Sequence, residues 1–200
     1  MQLSKFISIV LHPIFMPLLA LHVTLTTFPS ITLAISQHLN YIYSVIICCT
    51  IILPLLSIFF LIKKGHVKSL EMSSHKERSL PLFLTVIWML LGLFMLRNVL
   101  LYAPILKAEI IGAILIIIFA AIISKFWKIS LHLLAIGGVV GVFIALQLIA
   151  GGVLYLLLIF ILLSGILGFA RIMQKAHNYT QVCVGFLLGI SVELVSLLLY

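Results

Sequence analysis

The chain has 200 residues, of which 64% are hydrophobic and only 8% charged. A water-soluble domain covers its surface with about 25% charged residues, so this composition excludes a soluble enzyme, a nucleic-acid binder and a disordered chain. What remains is an all-α integral membrane protein, one polytopic domain over residues 1–200, whose net charge of +8 bears on topology and anionic head groups rather than on nucleic acid.

A hydrocarbon core about 30 Å thick needs about 20 apolar residues per helix. In chain order the predicted spans are 7–28, 41–62, 81–101, 109–125, 131–149, 152–169 and 181–199, a bundle of six to seven transmembrane helices. The first is the weakest. It carries His12, Pro13, Pro17 and His22, and reads as a crossing helix or as a re-entrant or tilted segment. Its prolines and the lack of a small-residue cleavage site argue against a signal peptide. The largest loop, 63–80, is dense in Lys, His, Glu and Ser. The stretch 131–169 is too long for one pass, and Gly151-Gly152 breaks it into a tight helical hairpin. Cys48, Cys49 and Cys183 offer neither a disulfide framework nor metal-ligand spacing.

If all seven spans cross, the N-terminus and loops 63–80, 126–130 and 170–180 share one side. That side holds Lys5, Lys63, Lys64, Lys68, Lys76, Arg78, Lys125, Lys128, Arg171 and Lys175; the other holds Lys107 and Arg97. A bias of ten to two places the first side in the cytoplasm. Arg97 and Glu193 fall inside the predicted bilayer at overlapping depths. Either they pair, or Arg97 reaches the far interface while Glu193 is protonated or faces Lys107.

Three loops on the cationic side carry polar clusters. The first is His75-Lys76-Glu77-Arg78-Ser79-Leu80-Pro81, which alone would be a solvated positive-inside loop ending at a helix-starting proline. The second is Lys128-Ile129-Ser130-Leu131-His132, where Ser130 is placed to cap the next helix. Gly137 and Gly141 after it suit helix packing. The third runs Ala170-Arg171, five residues, His177-Asn178-Tyr179-Thr180-Gln181-Val182, then Gly185. On one straight helix Arg171 and His177 would be about 9 Å apart along the axis and on different faces, so they converge only across a bend. Together the loops supply arginine forks, lysine, a helix N-terminus and two histidines, the inventory of a phosphate site.

These residues resemble the type-2 phosphatidic acid phosphatase superfamily, whose pattern is K-x6-RP, then PSGH, then SR-x5-H-x3-D. The third motif is the best match, keeping the Arg171–His177 spacing, Val182 and Gly185; the second survives as Ser130-Leu131-His132. In the first, Arg78 precedes Pro81 by three residues, and Lys68 or Lys76 stands in for the family's lysine. The resemblance covers about residues 63–190, with two helices between the second and third motifs as in the family. Gln181 replaces the aspartate, Ala170 the serine, and Ile129 and Leu131 the proline and glycine.

The resemblance implies a membrane-embedded phosphatase acting on a lipid phosphate or lipid pyrophosphate, without metal or organic cofactor. His177 would attack phosphorus, with Gln181 in the orienting position. Arg78, Arg171, Ser130 and Lys76 would hold the phosphate, and His132 would serve the leaving group. Bacterial members often face such a site outward, whereas the charge bias places it on the cytoplasmic side of a bacterial inner membrane. Two alternatives remain: a non-catalytic relative that binds or moves anionic lipid, favoured by the uncharged Gln181, and an unrelated small transporter or scaffold. Partners are the lipid substrate and membrane lipids; the sequence gives no oligomeric state.

Overall fold

The computed structural model describes residues 2–69, 72, 74 and 77–199. Among them there is no strand, and seven helical stretches are long and apolar enough to cross a membrane. The protein is an all-α integral membrane bundle. Its outward faces carry Phe59, Phe60, Phe83, Phe94, Leu158, Leu162, Phe169 and Leu187, far more exposed apolar surface than a soluble monomer presents.

The first stretch is broken. Helix α1 (Gln2–Val10) stops ahead of Pro13, and α2 (Met16–Thr27) restarts with Pro17 in its first turn. At the break, the His12 ring nitrogen Nδ1 accepts the Ile14 backbone N–H at 3.3 Å, replacing a bond that the helix ladder loses. A short α3 (Pro29–Ala34) leads to the second span, α4 (Leu39–Ile47) and α5 (Leu53–Lys63), joined by a π-helical turn at Cys48–Ile52. Pro54 has no N–H to continue the ladder, and the Leu53 N–H reaches five residues back to the Cys48 carbonyl.

The rest of the bundle is α6 (Ser79–Leu96), α7 (Pro104–Ile123), α8 (Leu131–Ile149), α9 (Leu154–Met173) and α10 (Tyr179–Leu198). Proline at the first turn starts α7 five residues earlier than its hydropathy predicts, and so carries Glu109 into the bundle. The 131–169 stretch turns back as expected, with Gly151 and Gly152 at φ +73° and +83°, a left-handed backbone that glycine adopts without strain.

Helix α8 lies at the centre, with Leu133, Ile136, Phe143 and Leu146 fully buried. It meets α10 backbone to backbone: a methyl on Gly137 would lie 2.3 Å from the Phe186 carbonyl oxygen, and one on Gly189 2.1 Å from that of Leu134. Gly141 and Gly185 meet Ile190 and Ser130 in the same way. Small residues let two helices approach closely in lipid, and here they set α10 against the start of α8.

The Arg97–Glu193 pairing does not form. Arg97 is exposed, donates to the Phe94 carbonyl at 3.0 Å and lies over the Phe94 ring. Glu193 is buried, with its carboxyl against Gly112.

Candidate functional site

The bend that Arg171 and His177 need is a Schellman turn. The Ala176 N–H bonds the Arg171 carbonyl at 3.1 Å, and the Lys175 N–H bonds that of Ile172 at 2.8 Å. Lys175 takes the left-handed position (φ 53°) where glycine is usual. Two residues later Asn178 opens α10 with a capping box: its side chain accepts the Gln181 N–H at 2.9 Å, and Gln181 Oε1 accepts the Asn178 N–H at 3.3 Å. His177 is therefore held between two rigid helix ends.

Gln181 Oε1 also lies 3.0 Å from His177 Nδ1. The Asn178 N–H can only donate, so the atom that receives it is the amide oxygen. The same oxygen must then accept from His177, which puts the imidazole proton on Nδ1 and leaves the lone pair on Nε2. The ring is 7% exposed. Burial, opposed by the Gln181 bond and reinforced by Arg78, Arg171 and Lys128, lowers its pKa to about 4. Near neutral pH, His177 is an uncharged base with Nε2 available.

The cations crowd one another. Burial and then the charge of Arg171 push Arg78 below its ordinary value, and burial, Arg78 and Arg171 do the same for Lys128. Arg78, 5% exposed, is clamped by carbonyls, Nε on Met72 at 2.9 Å and Nη1 on Ile129 at 3.1 Å. Arg171 Nη1 donates to Gln174 Oε1 at 3.2 Å. A cluster of like charges at a helix start is unfavourable unless an anion meets it.

Ser130 sits beneath this cluster, fully buried, with its N–H on the Gln181 carbonyl at 3.3 Å. It opens α8 by position, but it does not cap α8 through its side chain as the sequence suggested. Its backbone is committed to α10, and Oγ makes no hydrogen bond among the described residues. The hydroxyl is thus an available donor at the site. His132 is held from the other side by α1: its Nε2 lies 3.1 Å from the Ser8 carbonyl, which can only accept, so Nε2 carries the proton and Nδ1 the lone pair. The His12 ring packs edge-on against it at 5.4 Å. Helix α1 is pinned further by Gln174, which donates to the Ser4 carbonyl and to Ser8 Oγ.

Of the residues singled out from sequence, Arg78, Ser130, Arg171, His177 and Gln181 meet at one end of the bundle, and His132 joins them through α8. Lys76 lies outside the described residues; Lys68, its alternative, is exposed, with its N–H on Glu77 at 3.2 Å. Sequence reasoning did not assign Lys128, Asn178, Ser8 or His12 to the site. The Asn178-x-x-Gln181 spacing is a readable capping signature, whereas the Ser8 carbonyl carries no side-chain signal at all. Searches of protein-family models, curated proteins and solved structures find no match to this chain.

Proposed function

We propose that the protein is a membrane-embedded phosphatase that hydrolyses a lipid phosphate or lipid pyrophosphate, a divergent relative of the type-2 phosphatidic acid phosphatases. The observation that carries this reading is His177: neutral, fixed by Gln181 with Nε2 as its basic nitrogen, and buried among Arg78, Arg171 and Lys128. Nε2 attacks phosphorus, the N–P bond forms and the P–O bond to the lipid breaks. The incoming phosphate monoester, as its monoanion, passes its P–OH proton to the His132 Nδ1 lone pair, and the leaving oxygen takes that proton from Nδ1, because Nε2 remains on the Ser8 carbonyl. Water then attacks the phosphohistidine and gives a proton to His132, releasing phosphate. Arg78, Arg171, Lys128 and Ser130 Oγ hold the phosphoryl oxygens as their charge grows.

A second reading is a protein that binds or moves anionic lipid through the same basic cluster. Gln181 favours it, because an amide fixes the tautomer but brings no negative charge to stabilise the imidazolium. The test is phosphate release from short-chain phosphatidic acid and from isoprenyl pyrophosphate by purified protein, with His177→Ala alongside. The phosphatase reading expects turnover that His177→Ala abolishes, together with acid-labile covalent phosphate trapped on the wild type only. Binding of either lipid without phosphate release would install the second reading, and turnover by His177→Ala would remove the mechanism.

A further inference from the structure

Beneath the cationic end, a cavity of about 180 Å³ runs into the bundle. A single water needs roughly 10–15 Å³ on this kind of measure, so there is room for a sizeable organic group. The lining follows α8 from Leu131 to Val142, about 16 Å of helix. His12 and Met72 stand at one end of it, Glu109 and Glu193 among the walls of the other. The walls between are almost wholly apolar.

Glu109 is 5% exposed and Glu193 2%. Glu109 Oε2 accepts the Thr24 hydroxyl at 3.0 Å. The Glu193 carboxyl rests against the bare Cα of Gly112, one turn along α7 from Glu109; a methyl there would lie 2.6 Å from Oε2. Glu109 Oε1 and Glu193 Oε1 take no hydrogen bond among the described residues. The two carboxyls act on each other electrostatically, and no described Lys or Arg lines the cavity. In a low-dielectric interior, carboxyls so placed need a proton or a cation. Calcium and magnesium take about six or more oxygen ligands and zinc about four, which two carboxyls among apolar walls do not supply. An ammonium on a hydrocarbon body fits both features at once.

We propose that Glu109 and Glu193 form, within this cavity, a binding site for a lipophilic ammonium ion. Its N–H groups bond the two carboxyls, whose Oε1 atoms otherwise lack a hydrogen-bond partner among the described residues, and its hydrocarbon body lies along Met89, Ile110, Ala113, Ile117 and Val142. The site is separate from the phosphate cluster and does not rest on the phosphatase reading.

The test is equilibrium dialysis of labelled decylammonium against the protein in phosphatidylcholine nanodiscs, with empty nanodiscs as the baseline and decanol as the uncharged control. Saturable uptake of decylammonium, but not of decanol, is expected. Glu109→Gln and Glu193→Gln should each weaken it at least tenfold. Gly112→Ala displaces the Glu193 carboxyl without altering charge and should also weaken it. Saturable decanol binding of equal strength, no uptake above empty nanodiscs, or folded Gln variants that bind like wild type would each overturn the proposal. If the Gln variants do not fold, the decylammonium–decanol comparison on wild type decides alone. Inorganic phosphate should not displace decylammonium, whatever the phosphatase assay returns.

Discussion

Gln181 joins the fold to the chemistry, because one amide oxygen closes the α10 cap and orients His177. Shortening the side chain would break both bonds, so the informative change is Gln181→Glu, which keeps the reach and adds the missing charge. A carboxylate on Nδ1 stabilises imidazolium as it forms; in serine proteases the reverse exchange costs about 10⁴ in turnover. On the proposed phosphatase reading, turnover should therefore rise in Gln181→Glu. The acid limb of its pH–rate profile should move to higher pH, since the new anion raises the pKa of His177 from about 4. A folded variant with unchanged rate and profile would detach Gln181 from the chemistry. The same depressed pKa makes a stability statement. The free imidazole titrates near 6.5 and the folded one near 4. Between these values the unfolded chain binds more protons, so the stabilisation is complete above pH 6.5 and is lost as pH falls towards 4. In detergent, the melting temperature of wild type should fall across that window more steeply than that of His177→Asn.

Helix–helix contact delivers these residues, and the α8–α10 seam is the element on which the site depends. Gly189→Ala has no room, with the Leu134 carbonyl 2.1 Å from the new carbon, whereas Gly165→Ala meets nothing within 4 Å. Overpacking costs about 1–3 kcal/mol, and an exposed helical Gly→Ala change gains roughly 0.5–1 kcal/mol. Gly189→Ala should lower the melting temperature and, where the cluster binds phosphate as proposed, weaken that binding too, because Ser130 and Gln181 part; Gly165→Ala should leave any such binding intact and hold or raise stability. This seam was partly legible: the Gly137–Gly141 spacing indicates packing, and hydropathy locates all seven stretches to within a few residues. Other features were not. A uniformly apolar sequence does not distinguish a lipid-facing face from a cavity wall, so the cavity left no mark. Hydropathy also began α7 at Glu109 rather than at Pro104, which hid that carboxyl at a helix end. The turn after α9 uses Lys175 where a glycine would have announced it. The π-helical turn was foreshadowed only by Pro54.

At the scale of the whole molecule, three loops distant in sequence converge. Arg78 bonds the Ile129 carbonyl, the Ser130 N–H bonds the Gln181 carbonyl, and α1 reaches His132 from the N-terminal side. Any arrangement that put one of these loops on the opposite membrane face would break the link it makes. The cations follow the same division, with Lys63, Lys64, Lys68, Lys125, Lys128, Arg171 and Lys175 gathered on the side of the site and Arg97 and Lys107 on the other. Positive charge near helix ends is retained in the cytoplasm, and Lys63, Lys64 and Lys125 stand outside the phosphatase-like motifs, so they report topology independently of any ligand. Single cysteines at Ser74, Lys128 and Lys175, in a background without Cys48, Cys49 and Cys183, should resist an impermeant thiol reagent in intact cells and react in inverted vesicles. All three reacting in intact cells would keep the convergent site but turn it outward, so that the proposed lipid substrate would have to come from the outer leaflet. One position labelling opposite to the other two would break both the seven-pass arrangement and the composite site, because no single face could then present Arg78, Ser130 and His177 to one phosphate.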